Sequence, residues 1–155
     1  MLRFLKIAIP SFLIGAGAGA FGWYAFSPLL FDDVVAEQLV AADETLGRGD
    51  FVGADDFHQG TGQASLVRTA GGLQVQLTGF EVTNGPDLKV YLSAAENPET
   101  AQDVTDAGFI SLGALKGNVG DQAYGVPADA DAGALKSVVI WCEQFGVLFA
   151  SATLG

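Results

Sequence analysis

Ser137-Val138-Val139-Ile140-Trp141-Cys142, close to the C-terminal end, is the stretch whose reading decides the fold. It is β-branched and apolar, and it ends in an aromatic ring and the only cysteine in the chain. Pleating sends successive side chains to opposite faces. Val138, Ile140 and Cys142 therefore share one face, and Val139 and Trp141 the other. Both faces are apolar, which predicts a central strand covered on both sides.

Outward from that strand the texture is β throughout the second two-thirds of the chain. Leu73, Val75 and Leu77 alternate with Gln74, Gln76 and Thr78, the pattern of a half-buried strand. The inward parity then jumps to Phe80 and Val82 across Gly79, which predicts a β-bulge there. Gly71-Gly72 reads as a tight hairpin turn before this strand, and Asn84-Gly85-Pro86-Asp87 as a turn after it. Leu88, Val90 and Leu92 resume the alternation. Strands are also expected near 50–52, 63–69, 109–115, 124–127 and 145–154, with a polar loop over 94–107. About eight short strands separated by turns predict an all-β sandwich or jelly-roll-like domain over residues 47–155.

The N-terminal part differs. Residues 7–31 contain no charge, and a helix of that length at about 1.5 Å per residue exceeds the ~30 Å hydrocarbon layer. Arg3 and Lys6 precede it and Asp32 and Asp33 follow it. The positive-inside bias then places residues 1–6 in the cytoplasm and the rest outside, with 7–31 as a single-pass signal anchor in the cell membrane. The competing reading is a cleaved signal peptide with a site such as Ala16-Gly17-Ala18, but apolar sequence continues well beyond it. Residues 32–46, with Val35, Leu39 and Leu46 among acids, read as a helical stalk.

Charge narrows the function. All 18 acidic residues lie at or beyond Asp32, against five basic ones there, a net charge of −13. A surface of that sign repels phosphate, and no Lys/Arg cluster is present, so nucleic acid is not an expected partner.

The ligand inventory is short: one histidine, His58, one cysteine, Cys142, and no methionine beyond Met1. A structural zinc site usually takes four Cys/His ligands, and blue copper takes two histidines and a cysteine. Neither set is complete in one chain, so no metal site is expected. Asn84 with Asp87 and Asn118 with Asp121 carry oxygens that suit calcium, although turns select the same residues. A nucleophilic Cys142 would need a cation or helix N-terminus to lower a pKa of about 8.5. Lys136 and His58 are the available activators. The competing reading makes Cys142 a small hydrophobe filling the core. No G-x-S-x-G elbow is present, and a serine triad would have to use His58.

These residues together are similar to the DM-thirteen domain, also called the electron-transfer DM domain. The similarity runs through Gly49-Asp50-Phe51, the loop His58-Gln59-Gly60-Thr61-Gly62, Asn84-Gly85-Pro86-Asp87-Leu88 and Val90-Tyr91-Leu92. It continues through Leu115-Lys116-Gly117-Asn118, Gly120, Gln122, Tyr124 and Pro127, and closes on 137–142 with Phe145, Phe149, Ala152 and Leu154. The resemblance implies a β-rich extracytoplasmic domain of the kind found beside DOMON modules and membrane cytochromes. It implies a redox role with Cys142 as the candidate redox thiol, a redox partner protein, and haem by association only, with His58 the candidate ligand. The expectation is thus a membrane-anchored, periplasmic or extracellular electron-transfer domain. The alternative is a non-catalytic binding or adhesion module in which Cys142 is packing.

Overall fold

The computed structural model describes residues 2–26 and 31–155. Nine strands form two antiparallel sheets. They are β1 (Glu44–Asp50), β2 (Val52–Gly53), β3 (Gly60–Thr69), β4 (Gly72–Val82), β5 (Leu88–Ser93), β6 (Phe109–Ala114), β7 (Gln122–Gly125), β8 (Ser137–Cys142) and β9 (Val147–Thr153). One sheet has the order β1-β3-β4-β7 and the other β2-β9-β8-β5-β6. Two helices complete the described residues, α1 (Leu2–Phe26) and α2 (Ala101–Ala107).

The strand that decided the sequence reading sits in the middle of the five-stranded sheet, between β9 and β5, and all six of its residues are buried. Val138, Ile140 and Cys142 join the main core between the sheets, with Leu66, Val75, Leu77, Val90 and Leu92. Val139 and Trp141 join a second cluster on the outer face, with Tyr91, Val104 and Leu148. The two-sided burial expected from the alternation is what the fold delivers.

The bulge at Gly79 is present. Thr61 pairs with Glu81 and Gln63 with Thr78, so Gly79 and Phe80 together face Gly62. Gly79 takes a φ of +53°, which returns Phe80 and Val82 to the core face. The β3–β4 hairpin turns one residue earlier than expected, at Ala70-Gly71, with Thr69 paired to Gly72. The strand expected near 50–52 is two strands instead: the chain leaves one sheet at Asp50, buries Phe51, and enters the other at Val52. This division makes nine strands rather than eight. The polar loop after β5 holds α2, started by Thr100 and Asp103, whose side chains each bond the other's backbone amide.

Residues 32–46 depart from the helical stalk expected of them. They are extended and lie along the domain as a strap, until the chain enters β1 at Glu44. Val35 N donates to Val119 O, Glu37 N to Asp121 O, and Val119 N to Asp33 O. Gln76 Nε2 reaches Val40 O, and Glu37 takes both Lys116 Nζ, at 2.6 Å, and the Ala123 amide. Lys116 and that amide hold the Glu37 carboxyl below its ordinary range. A short isolated helix is marginal in water. The glycine-rich loop 116–122 instead offers a backbone edge, and the strap uses it. At Gly120, with φ +105°, a Cβ would fall 1.9 Å from Val35 O, so the seat exists only because no side chain is there.

α1 is helical, as the uncharged run predicts, and leaves Ile7, Phe12, Leu13, Ile14, Phe21 and Trp23 exposed. Among the described residues, no helix is long and apolar enough to cross a membrane. The last part of the expected anchor, residues 27–30, lies outside the described residues.

Candidate functional site

Cys142 ends β8 on the inner face and is 1% exposed. Its thiol donates to Pro86 O at 3.1 Å, beneath the turn 84–87. Register puts Leu88 and Val147 on either side of it. Lys136 sits before the opposite end of β8, about 20 Å away at ~3.3 Å per residue, and cannot serve as the activating cation.

His58 occupies the loop between β2 and β3. Asp55 shapes this loop: its Oδ1 accepts from the amides of Phe57 and His58, and its Oδ2 meets His58 Nδ1 at 2.8 Å. Those bonds, led by the one from the His58 ring, hold the Asp55 carboxyl below its ordinary range. The imidazole packs against Phe149, with ring centroids 4.3 Å apart. Phe149 in turn packs on Gly85, next to the carbonyl that receives the Cys142 thiol. His58 and Cys142 therefore approach the same turn, with the Phe149 ring between His58 and that turn. The structure gives them no direct bond among the described residues. Two clefts open beside the turn, one with Asn84, Asp87, Leu88 and Gly117 in its wall, the other with Gln59, Thr61, Thr83 and Asn84. Neither is lined by His58 or Cys142.

The oxygen-bearing turns have other work. Asn84 Nδ2 donates to Phe31 O and Asp32 Oδ1, and Asn118 Oδ1 accepts from Asp33 N. Asp87 pairs with Lys89 at 2.7 Å, and Asp121 Oδ1 accepts from Gly79 N. These side chains fasten the strap, the bulge and the turn. Among the described residues no group of three or more His, Cys, Asp or Glu side chains is placed to hold a metal ion. For haem, the one histidine has Nδ1 bonded to Asp55, which leaves Nε2 as the nitrogen that could reach an iron, and its ring lies against Phe149.

The second feature of chemical interest was not read from the sequence. On the outer face of the five-stranded sheet, neighbouring strands β8, β5 and β6 present Trp141, Tyr91 and Phe109 as one stack. Tyr91 and Phe109 are nearly parallel, 3° apart with centroids at 4.3 Å, and Trp141 lies 6.0 Å from Tyr91 at 25°. Tyr91 and Trp141 are buried, whereas Phe109 is 43% exposed and brings the stack to the surface. Burial, with the Glu143 and Asp87 carboxylates facing it, pushes the Tyr91 phenol up to about 12. The available signal was parity: Tyr91 alternates with Val90 and Leu92, and so shares a face with Val139 and Trp141 across the ladder.

A sequence model of the electron transfer DM13 family matches residues 50–154, which takes in the five-stranded sheet and, apart from β1, the four-stranded one. The chain belongs to the electron transfer DM13 family. No curated protein and no solved structure matches it. The DM13 match covers Cys142, the turn above it and the aromatic stack alike, so family membership by itself does not choose between them. In this DM13 domain the thiol is enclosed, while the stack opens to solvent at Phe109.

Proposed function

We propose that this protein is a membrane-held electron-transfer domain that exchanges single electrons with a partner protein outside the cytoplasmic membrane. The observation that carries this reading is the DM13 match over residues 50–154. Attachment through residues 7–31 is supported by the apolar side chains that α1 leaves uncovered, since a contiguous patch of that size in water calls for lipid or another apolar surface. The charge step from Arg3 and Lys6 to Asp32 and Asp33 supports the orientation, N-terminus inside and domain in the periplasm or extracellular space.

The burial of Cys142 favours packing over thiol exchange. A thiolate that attacks a disulfide needs contact with its target and a cation nearby, and this sulfur has a carbonyl for a partner. The same burial supports a second reading, a tethered recognition module without redox chemistry.

Electron exchange is tested by equilibrating the full-length protein with one-electron mediators of graded potential, alongside its Cys142→Ala variant. Uptake or release of electrons by both proteins supports the reading, and uptake lost in the variant would return the role to the thiol. No exchange at any potential overturns the reading in favour of the recognition module. Attachment is tested by alkaline carbonate washing of membranes: retention in the pellet supports the anchor, and release refutes it.

A further inference from the structure

The electron-transfer reading leaves open which groups carry the electron, and the outer face of the five-stranded sheet answers from its own geometry. Of the side chains in the DM13 domain that yield one electron most readily, Tyr91 and Trp141 lie against each other, and a third ring joins them to solvent. The near-parallel overlap of Tyr91 with Phe109 at 4.3 Å is closer than the approach of either ring to Trp141, at 6.0 and 6.4 Å. Tyr124 provides the contrast. Its hydroxyl donates to the Gln122 amide oxygen at 2.6 Å and accepts from the Lys116 amide, so its hydrogen-bond acceptor is an amide, which does not take up a proton near neutrality. Tyr91 instead lies against two other rings, one of them open to solvent.

We propose that Tyr91 and Trp141 are the electron-carrying side chains of this domain, with Phe109 as the contact for a one-electron oxidant. The proposal rests on the electron-transfer reading above. In the step, a high-valent metal-complex oxidant takes one electron from the Tyr91–Trp141 pair and is itself reduced by one unit. The Tyr91 O–H bond breaks, its proton passes to a base of the surrounding buffer, to which a new bond to hydrogen forms, and a neutral tyrosyl radical remains. A one-electron donor reverses the step, with a proton returning from the buffer.

The experiment is flash oxidation of the full-length protein in detergent by photogenerated ruthenium(III) tris(bipyridine), read by electron paramagnetic resonance and transient absorbance. The expected result is a neutral tyrosyl radical that Tyr91→Phe removes, leaving a tryptophanyl signal. Tyr91→Phe keeps the stacked ring, and circular dichroism of the same sample shows whether the fold is retained. Trp141→Phe and Phe109→Leu should each slow radical formation several-fold. A tyrosyl signal that persists unchanged in Tyr91→Phe overturns this assignment while leaving the electron-transfer reading in place. No radical in the wild-type protein, together with no exchange with mediators, overturns both.

Discussion

Along β8 the inward side chains Val138, Ile140 and Cys142 enter a core of 19 buried residues drawn from both sheets. One step along the backbone, Val139 and Trp141 enter a cluster of five, covered on the outside by Val104 of α2 and bordered by charged residues. The inner face is thick, largely aliphatic and closed. The outer face is thin, aromatic and open at Phe109. The difference teaches that adjacent residues of one strand, a lone cysteine and a tryptophan, can meet opposite surroundings. The sulfur is on the crowded side, and the ring is on the side with access and with carboxylates nearby.

The comparison can be broken most forcefully at Ile140. Ile140→Ala opens a cavity in the closed face and is expected to cost about 2–5 kcal/mol, read from urea unfolding. A cost near zero would mean the inner face is not a close-packed core. Cys142→Ala removes one sulfur and its bond to Pro86, and should cost about 1–2 kcal/mol by the same measurement, with the fold intact. Thr100→Ala weakens the start of α2 and thus the thin cover of the outer face, for about 1 kcal/mol. It should raise amide exchange around Val104 while leaving Ile140 protected.

The smallest effect compares a tyrosine from each cluster. Tyr91 and Tyr124 are both pushed up from 10.0 to about 12, chiefly by burial. A raised value on a group that is neutral when protonated means the native state holds the proton more tightly. The stabilisation is therefore complete below pH 10 and is lost as pH rises through about 12. Phenolate absorbance should show these two residues titrating late in the native protein and near pH 10 in urea. Early titration of Tyr91 alone would show that the outer face is wetter than its packing indicates.

Much of this was legible in the sequence, wherever a strand's two faces differ in polarity or a glycine marks a required conformation. The two-sided burial of β8 followed from alternating apolar residues, and the bulge at Gly79 from a parity jump. Residues 32–46 misled because Val35, Leu39 and Leu46 have helical spacing, and nothing local shows that loop 116–122 offers them a backbone partner. The glycines of that loop read as turn residues, and only the folded chain shows Gly120 making room for Val35. At the candidate site, Cys142 stood out by being unique, which says nothing about access. Its enclosure depends on the turn 84–87 closing over it from another strand end. The aromatic stack escaped notice because its members come from three segments, joined only by the order β8-β5-β6.

The strap has a practical consequence for anyone trimming the protein. The family match begins at residue 50, yet β1 spans Glu44–Asp50 and the strap begins before it, near Asp32. A fragment started at the family boundary would lose the strand that shields the outer edge of β3 and the chain that lies beside β7. Both margins of the four-stranded sheet would then be bare, and naked strand margins recruit one another. Such a fragment should clump, whereas one beginning at Phe31 should stay dispersed.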